Sequence, residues 1–222
     1  MSSTAVLLSA GLDSAVLAAA EARTRRIHPI YVSTGLAWEA RELAALERLL
    51  SAPPLAGRTE PLACLSFTVH DLYPAGHWAL RGTPPAFDTP DEDVYLTGRN
   101  IALLSKSAIY AAQHAIERIV LGPLAGNPFP DATRTFFDAM AKALSLGLNH
   151  AITIDTPFAS MEKRDVIRLG VQLGVPLALT LSCMNPQEDR HCGQCSKCRE
   201  RRDAFAEAGI ADPTGYATKP LR

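Results

Sequence analysis

No apolar run in this chain approaches the roughly 18 residues that a membrane span requires, so a membrane protein is not expected. Net charge is nearly absent as well: 22 Lys and Arg face 23 Asp and Glu, leaving a formal charge of -1. Without a global basic field, a direct nucleic-acid partner is not expected. The N-terminus lacks a basic stretch, and its apolar run is followed by Asp13 rather than by a small-residue cleavage site, which argues against a secretory leader. No internal repeat and no low-complexity tract is present. Cysteine is scarce, with five in 222 residues, and Cys64 stands alone while the other four fall between Cys183 and Cys198. That clustering reads as a metal site in a reducing, cytoplasmic compartment rather than as a disulfide framework.

What is there is a chain 47% hydrophobic and 20% charged, enough for one sizeable core. Short apolar runs at Ala5–Ser9, His28–Ser33, Leu62–Val69, Arg118–Gly122 and Ala151–Thr156 read as strands. Between and after them, Ser14–Arg23, Trp38–Leu50, Asn100–Glu117, Thr133–Leu146 and Glu162–Leu173 carry helical patterns. Strand–helix alternation predicts an α/β fold with a doubly wound, mostly parallel sheet covered by helices on both faces. The stretch Tyr73–Asp93, with four prolines and two glycines, has no apolar period and reads as a long loop, functional or mobile.

The first strand ends in Ser9-Ala10-Gly11-Leu12-Asp13-Ser14 and a helix follows. In open α/β sheets ligands bind at the carboxyl ends of strands, and a helix N-terminus there suits an anion. Gly11 permits close backbone approach, and Ser9 and Ser14 add hydroxyl donors. Asp13 is a poor phosphate contact, so it either caps the helix or holds a magnesium ion. The loop is neither G-x-G-x-x-G nor the Walker pattern, and an ordinary capped turn is the competing reading.

Cys183, Cys192, Cys195 and Cys198 supply four thiolates, enough to close a tetrahedral structural zinc site. An iron–sulfur cluster and a redox pair are the alternatives, although the proline that ends a ferredoxin run is replaced by Arg199.

The loop S-A-G-L-D-S resembles the S-G-G-x-D-S pyrophosphate loop of PP-loop enzymes, the N-type ATP pyrophosphatases, with Ala10 in place of a usual glycine. Thr97-Gly98-Arg99-Asn100, Thr156-Pro157-Phe158 with Met161-Glu162-Lys163, the cysteine tail and Asp212-Pro213-Thr214 make the resemblance narrower. Together they are similar to the 7-cyano-7-deazaguanine synthases, in order from Ser9 to Tyr216. The resemblance implies an adenine nucleotide alpha hydrolase-like domain over 1–180, with a zinc-binding segment over 181–222 packed on it. It also implies ATP-dependent conversion of 7-carboxy-7-deazaguanine and ammonia to 7-cyano-7-deazaguanine, a carbon–nitrogen ligase reaction through an acyl-adenylate and an amide. ATP, Mg2+ and structural Zn2+ are the implied cofactors, and a homodimer the implied assembly.

On this reading Ser9, Ala10, Gly11, Leu12, Asp13 and Ser14, with Gly98, Arg99 and Asn100, contact the nucleotide. Asp13, Arg99 and Lys163 are the catalytic candidates; solvated surface positions are the plainer reading for Arg99 and Lys163, and an N-cap for Asn100. The segment Pro123–Arg134 departs from the family's D-x-S-G-Y-P-D-C-R pattern but keeps Phe129-Pro130-Asp131. Phe129 would stack on a planar base and Asp131 accept from ring N–H groups, or Phe129 is core and Asp131 a helix cap. Alternatives for the whole chain are a PP-loop ligase acting on another acid or joining a deazaguanine to another partner, and a non-catalytic nucleotide-binding protein.

Overall fold

A computed structural model describes residues 3–218; the outermost ends of the two expected segments, 1–2 and 219–222, lie outside the described residues. Five strands form one parallel sheet: β1 (Ser3–Leu7), β2 (Arg26–Ser33), β3 (Ala63–Ser66), β4 (Arg118–Val120) and β5 (Thr153–Asp155). Their spatial order is β3-β2-β1-β4-β5. The chain builds outward from β1 on one side and then restarts at β4 on the other. The reversal leaves a crevice between the carboxyl ends of β1 and β4, where open α/β sheets take ligands.

Helices α1 (Leu12–Glu21), α2 (Glu39–Leu50), α3 (Trp78–Arg81), α4 (Arg99–Gln113), α5 (Arg134–Leu148), α6 (Lys163–Gln172) and α7 (Ser196–Ala208) complete the fold. Successive strand residues point to opposite faces. Val6, Leu8 and Tyr31 therefore pack with α1, α2, α6 and α7, while Ala5, Leu7, Ile30 and Val32 pack with α4 and α5. Both faces are covered, which is why the strands read as unbroken apolar runs. A Cβ on Gly170 would lie 2.8 Å from Val16 Cγ2, so glycine there is what lets α6 seat against α1. Among the described residues no helix is long and apolar enough to cross a membrane.

Three expectations are corrected. The stretch 73–93 is not structureless: it holds α3 and enters a 3-10 turn at Asp91–Val94, and Trp78 stacks on Trp38 with ring centroids 5.9 Å apart. Side-chain packing orders it without any period. The helix expected to reach Glu117 stops at Gln113, because Ala115 takes φ 53° and no α-helix continues through that conformation. The third strand pairs only over Ala63–Ser66, after which Phe67 and Val69 donate to Ser33 and Thr34 carbonyls at 2.8 and 3.1 Å. Helix α7 was not expected at all; its run of Lys, Arg and Glu hides a buried face of Cys198, Arg201, Ala204 and Phe205.

Candidate active site

The loop between β1 and α1 is built from its own hydroxyls. Ser9 N–H donates to Ser14 Oγ at 3.3 Å, and that hydroxyl donates to the Gly11 carbonyl at 3.1 Å. Gly11 occupies the cap position of α1, whose first amides have no partner within the helix. Ala10 adopts φ 61°, a left-handed conformation in which its carbonyl accepts from Leu181 N–H at 2.9 Å. The side chains of Ala10 and Leu12 are buried in the core, so neither offers the cleft a functional group.

Asp13 and Lys163 meet at the mouth of this loop, with Lys163 Nζ 3.3 Å from Asp13 Oδ2. Asp13 Oδ1 is buried and has no hydrogen-bond partner among the described residues. Lys163 also pairs with Glu200 Oε1, and Lys197 Nζ lies 2.6 Å from Glu200 Oε2 and 3.7 Å from Asp91 Oδ1. Burial raises the Asp13 carboxyl, opposed by Lys163 and reinforced by the negative charge of Glu200. Burial alone would depress the Lys163 ammonium, but Asp13 and Glu200 more than reverse this and raise it. For Glu200 the balance also goes against burial: Lys163 and Lys197 hold it down at about 2. Lys163 is thus a fixed charge inside the cleft, not a solvated helix residue.

Arg99 enters from the start of α4, beyond Gly98, whose φ of 75° turns the chain into the helix. Its Nε is buried and without a partner among the described residues. Asn100 is the second residue of α4 and not its cap. Its N–H donates to Asp131 Oδ2 at 3.1 Å and its amide Nδ2 to the Asp131 carbonyl at 2.9 Å. Asp131 therefore ties the 123–134 segment to α4, while Thr133 caps α5 by accepting from Phe136 N–H at 3.2 Å. Half-buried Phe129 stacks on Tyr95, centroids 5.0 Å apart. The loop residues Ser9, Gly11, Asp13 and Ser14 line one cleft of about 530 Å³ with Lys163, Arg99, Asn100, Phe129 and Asp131. Ala10 and Gly98 shape its edges without lining it.

Among the cleft residues that the sequence reading did not assign to the site are Tyr31, Glu42, Asp91, Lys197 and Glu200. Glu42 is buried, accepts from Tyr31 Oη at 2.7 Å, and its carboxyl is pushed up to about 7 by burial, with Arg99 and Tyr31 opposing. A signal existed for it: Glu39 and Glu42 fall in helical register with Leu46 and Leu49, on the stripe that faces the core. Glu39 uses that position to accept from the Thr34 and Gly35 amides at 2.7 and 3.1 Å. For Lys197 and Glu200 no such signal exists, since both sit in a densely charged run.

The four cysteines come together where α7 begins. Their sulfurs all lie within 4.8 Å of one another and all four residues are buried. Neighbouring pairs sit 3.5–3.9 Å apart, far beyond a disulfide bond and near the roughly 3.8 Å edge of a tetrahedron with 2.3 Å metal–sulfur bonds. Cys183 Sγ accepts from the amides of Asn185 and Cys192 at 3.3 and 3.2 Å, contacts that favour thiolate charge. The residues present fit a tetrahedral metal ion.

Set beside known proteins, the chain matches the family model described as queuosine biosynthesis protein QueC over residues 3–209. It is 36% identical to a 7-cyano-7-deazaguanine synthase of Anaeromyxobacter dehalogenans, covering 96% of this chain and 94% of that one. The synthase of Methanopyrus kandleri is 35% identical over 97% and 99% of the two chains. That of an Azoarcus species is 37% identical over 96% of each.

Proposed function

The chain belongs to the QueC family of queuosine biosynthesis proteins, and from that membership we propose that it converts 7-carboxy-7-deazaguanine and ammonia to 7-cyano-7-deazaguanine at the expense of ATP. The observation that carries the reading is the convergence of the Ser9–Ser14 loop, Lys163 and Arg99 on one cleft at the switch point of the sheet. A carboxylate is a poor electrophile, so ATP first turns it into an acyl-adenylate with loss of pyrophosphate. Ammonia displaces AMP to give the amide, and activation of the amide oxygen by a second ATP lets dehydration leave the nitrile.

In this scheme the amides at the start of α1, with the Ser9 and Ser14 hydroxyls, receive the pyrophosphate portion of ATP. Lys163 neutralises charge that develops as pyrophosphate leaves. Arg99, a guanidinium facing the cleft with its Nε unpartnered, stabilises negative charge at the reacting phosphate or on the acid. A Mg2+ ion would supply further neutralisation of phosphate charge, and the unpartnered Asp13 Oδ1 is the oxygen suited to hold it. Phe129, already stacked on Tyr95, offers a face for the deazapurine. Asp131 keeps that segment against α4 and presents it to the substrate. In the cysteine site Zn2+ suits an all-thiolate set, and four protein ligands leave no open position, so its contribution is structural. The enzyme works in the cytoplasm as a homodimer on small molecules.

The test incubates purified protein with ATP, Mg2+, ammonia and 7-carboxy-7-deazaguanine, and follows pyrophosphate and product mass. Pyrophosphate with a product of nitrile mass is expected. AMP formation with a different acid only, or no ATP turnover at all, would overturn the assignment.

A further inference from the structure

The turn that carries the cysteines also carries a lysine into the cleft. Between Cys195 and Cys198 the chain reads Ser196-Lys197, and α7 begins at Ser196 with Cys195 at its cap position. Cys195 and Cys198 sulfurs are 3.5 Å apart and both residues are buried, so an ion held by both would fix this turn at two points. A third restraint follows one turn later. Buried Arg201 donates to Thr214 Oγ1 at 2.6 Å, Thr180 Oγ1 at 2.8 Å, Ser182 Oγ at 3.1 Å and the Leu177 carbonyl at 2.8 Å. The backbone around Lys197 therefore has little freedom, so the cysteine site fixes the point from which its stem starts, while Glu200 holds the ammonium end.

That ammonium is one carboxylate away from Lys163. Glu200 bridges the two ammonium groups, and Lys163 in turn touches Asp13 at the loop. Asp13 and Glu200 balance the charge of the two ammonium groups, and Asp91 adds a longer ion pair at 3.7 Å from Lys197. Both lysines line the cleft with the Ser9–Ser14 loop. Of three N–H donors each, Lys163 uses two on Asp13 and Glu200 and Lys197 one on Glu200, so donors remain for an incoming polyanion. Lysine suits this role as a point charge on phosphate.

We propose that Lys197 binds the polyphosphate of ATP together with Lys163, and that the cysteine site fixes the point from which the Lys197 stem starts. The inference rests on the ATP reading above and adds to it a binding residue and a task for the metal beyond holding the tail.

Calorimetric titration of the metal-loaded protein with inorganic pyrophosphate and, separately, AMP tests it. Lys197→Met should weaken pyrophosphate about tenfold, the scale of one charge-assisted hydrogen bond, with AMP affinity unchanged and Lys197→Arg recovering most of the loss. Equal pyrophosphate affinity in Lys197→Met and the parent would overturn the assignment, as would equal losses for AMP and pyrophosphate. A parent protein that binds neither pyrophosphate nor ATP removes the nucleotide reading itself, a distinct result. The positioning half has its own readout. In cobalt-substituted protein, pyrophosphate should perturb the cobalt–thiolate absorption of the parent and not of Lys197→Met; an unperturbed parent spectrum would refute it.

Discussion

Replacing Ala10 by glycine should change stability by less than about 1 kcal/mol, although the position calls for a left-handed backbone. Ala10 sits at φ 61°, where an L side chain costs roughly 1–2 kcal/mol relative to glycine. Against that relief stand two losses. The Ala10 methyl is fully buried, at 0% exposure within the α1 core, and one buried methyl contributes about 0.8 kcal/mol. Glycine also loosens the unfolded chain, which destabilises the native state by about 0.4–1 kcal/mol. The terms are of equal size and opposite sign, so alanine is tolerated because its methyl is packed. For a domain of 222 residues, 1 kcal/mol moves the melting temperature by about 2–4 °C. Thermal unfolding followed by circular dichroism, at fixed pH and full metal loading, measures it. The contrast is Ala10→Val: a β-branched residue at positive φ in a packed site should cost more than about 3 kcal/mol. The carbonyl of residue 10 keeps its bond from Leu181 N–H in Ala10→Gly, so ATP affinity should stay within about twofold. A loss above about 2 kcal/mol would mean that strain is negligible and packing dominates; a gain of that size would mean that the strain is uncompensated. Either refutes the cancellation.

Asp13→Ala should lower turnover by at least about 100-fold while the protein stays folded, because Lys163 keeps Glu200 as its partner; activity within a few-fold of the parent would remove the loop assignment. Glu42 gives a pH signature. Its folded pKa of about 7 lies above its ordinary 4.5, so the native state holds the proton more tightly than the unfolded chain. That contribution is fully present below pH 4.5 and lost as pH rises through 7, about 3 kcal/mol in all. Glu42→Gln should therefore melt higher than the parent at pH 8 and at the same temperature near pH 4.5; equal effects at both would show that Glu42 stays ionised. Metal analysis should return about one zinc per four-thiolate site, and chelation should loosen hydrogen-exchange protection over α7 before the sheet. Iron with visible absorbance would overturn the zinc assignment, and protection unchanged after chelation would separate α7 from the metal.

Much of this was legible in the residues. The alternation of strands and helices follows from local periodicity, which each segment carries by itself. The Ser9–Ser14 loop was visible because serine, glycine and aspartate interrupt an apolar run, and the cysteine site because four thiols at short spacing have few other uses. Those motifs, with Gly98-Arg99-Asn100, identified the family. The stretch 73–93 and α7 escaped for a shared reason. Their order comes from partners far along the chain, Trp38 under Trp78 and the carbonyl and hydroxyls around Arg201, and a window of neighbours cannot register them.

The contents of the cleft were a tertiary decision. Arg99 and Asp13 face one space only because the sheet reverses between β1 and β4. Lys163, Lys197 and Glu200 look like any charged surface residues until α6 and α7 pack side by side and turn them inward. The sequence by itself determined which chemical groups were available and which family they mark. Only the tertiary structure decided that two lysines share one carboxylate beside the loop, because burial and pairing of charge depend on connections that cross the whole fold.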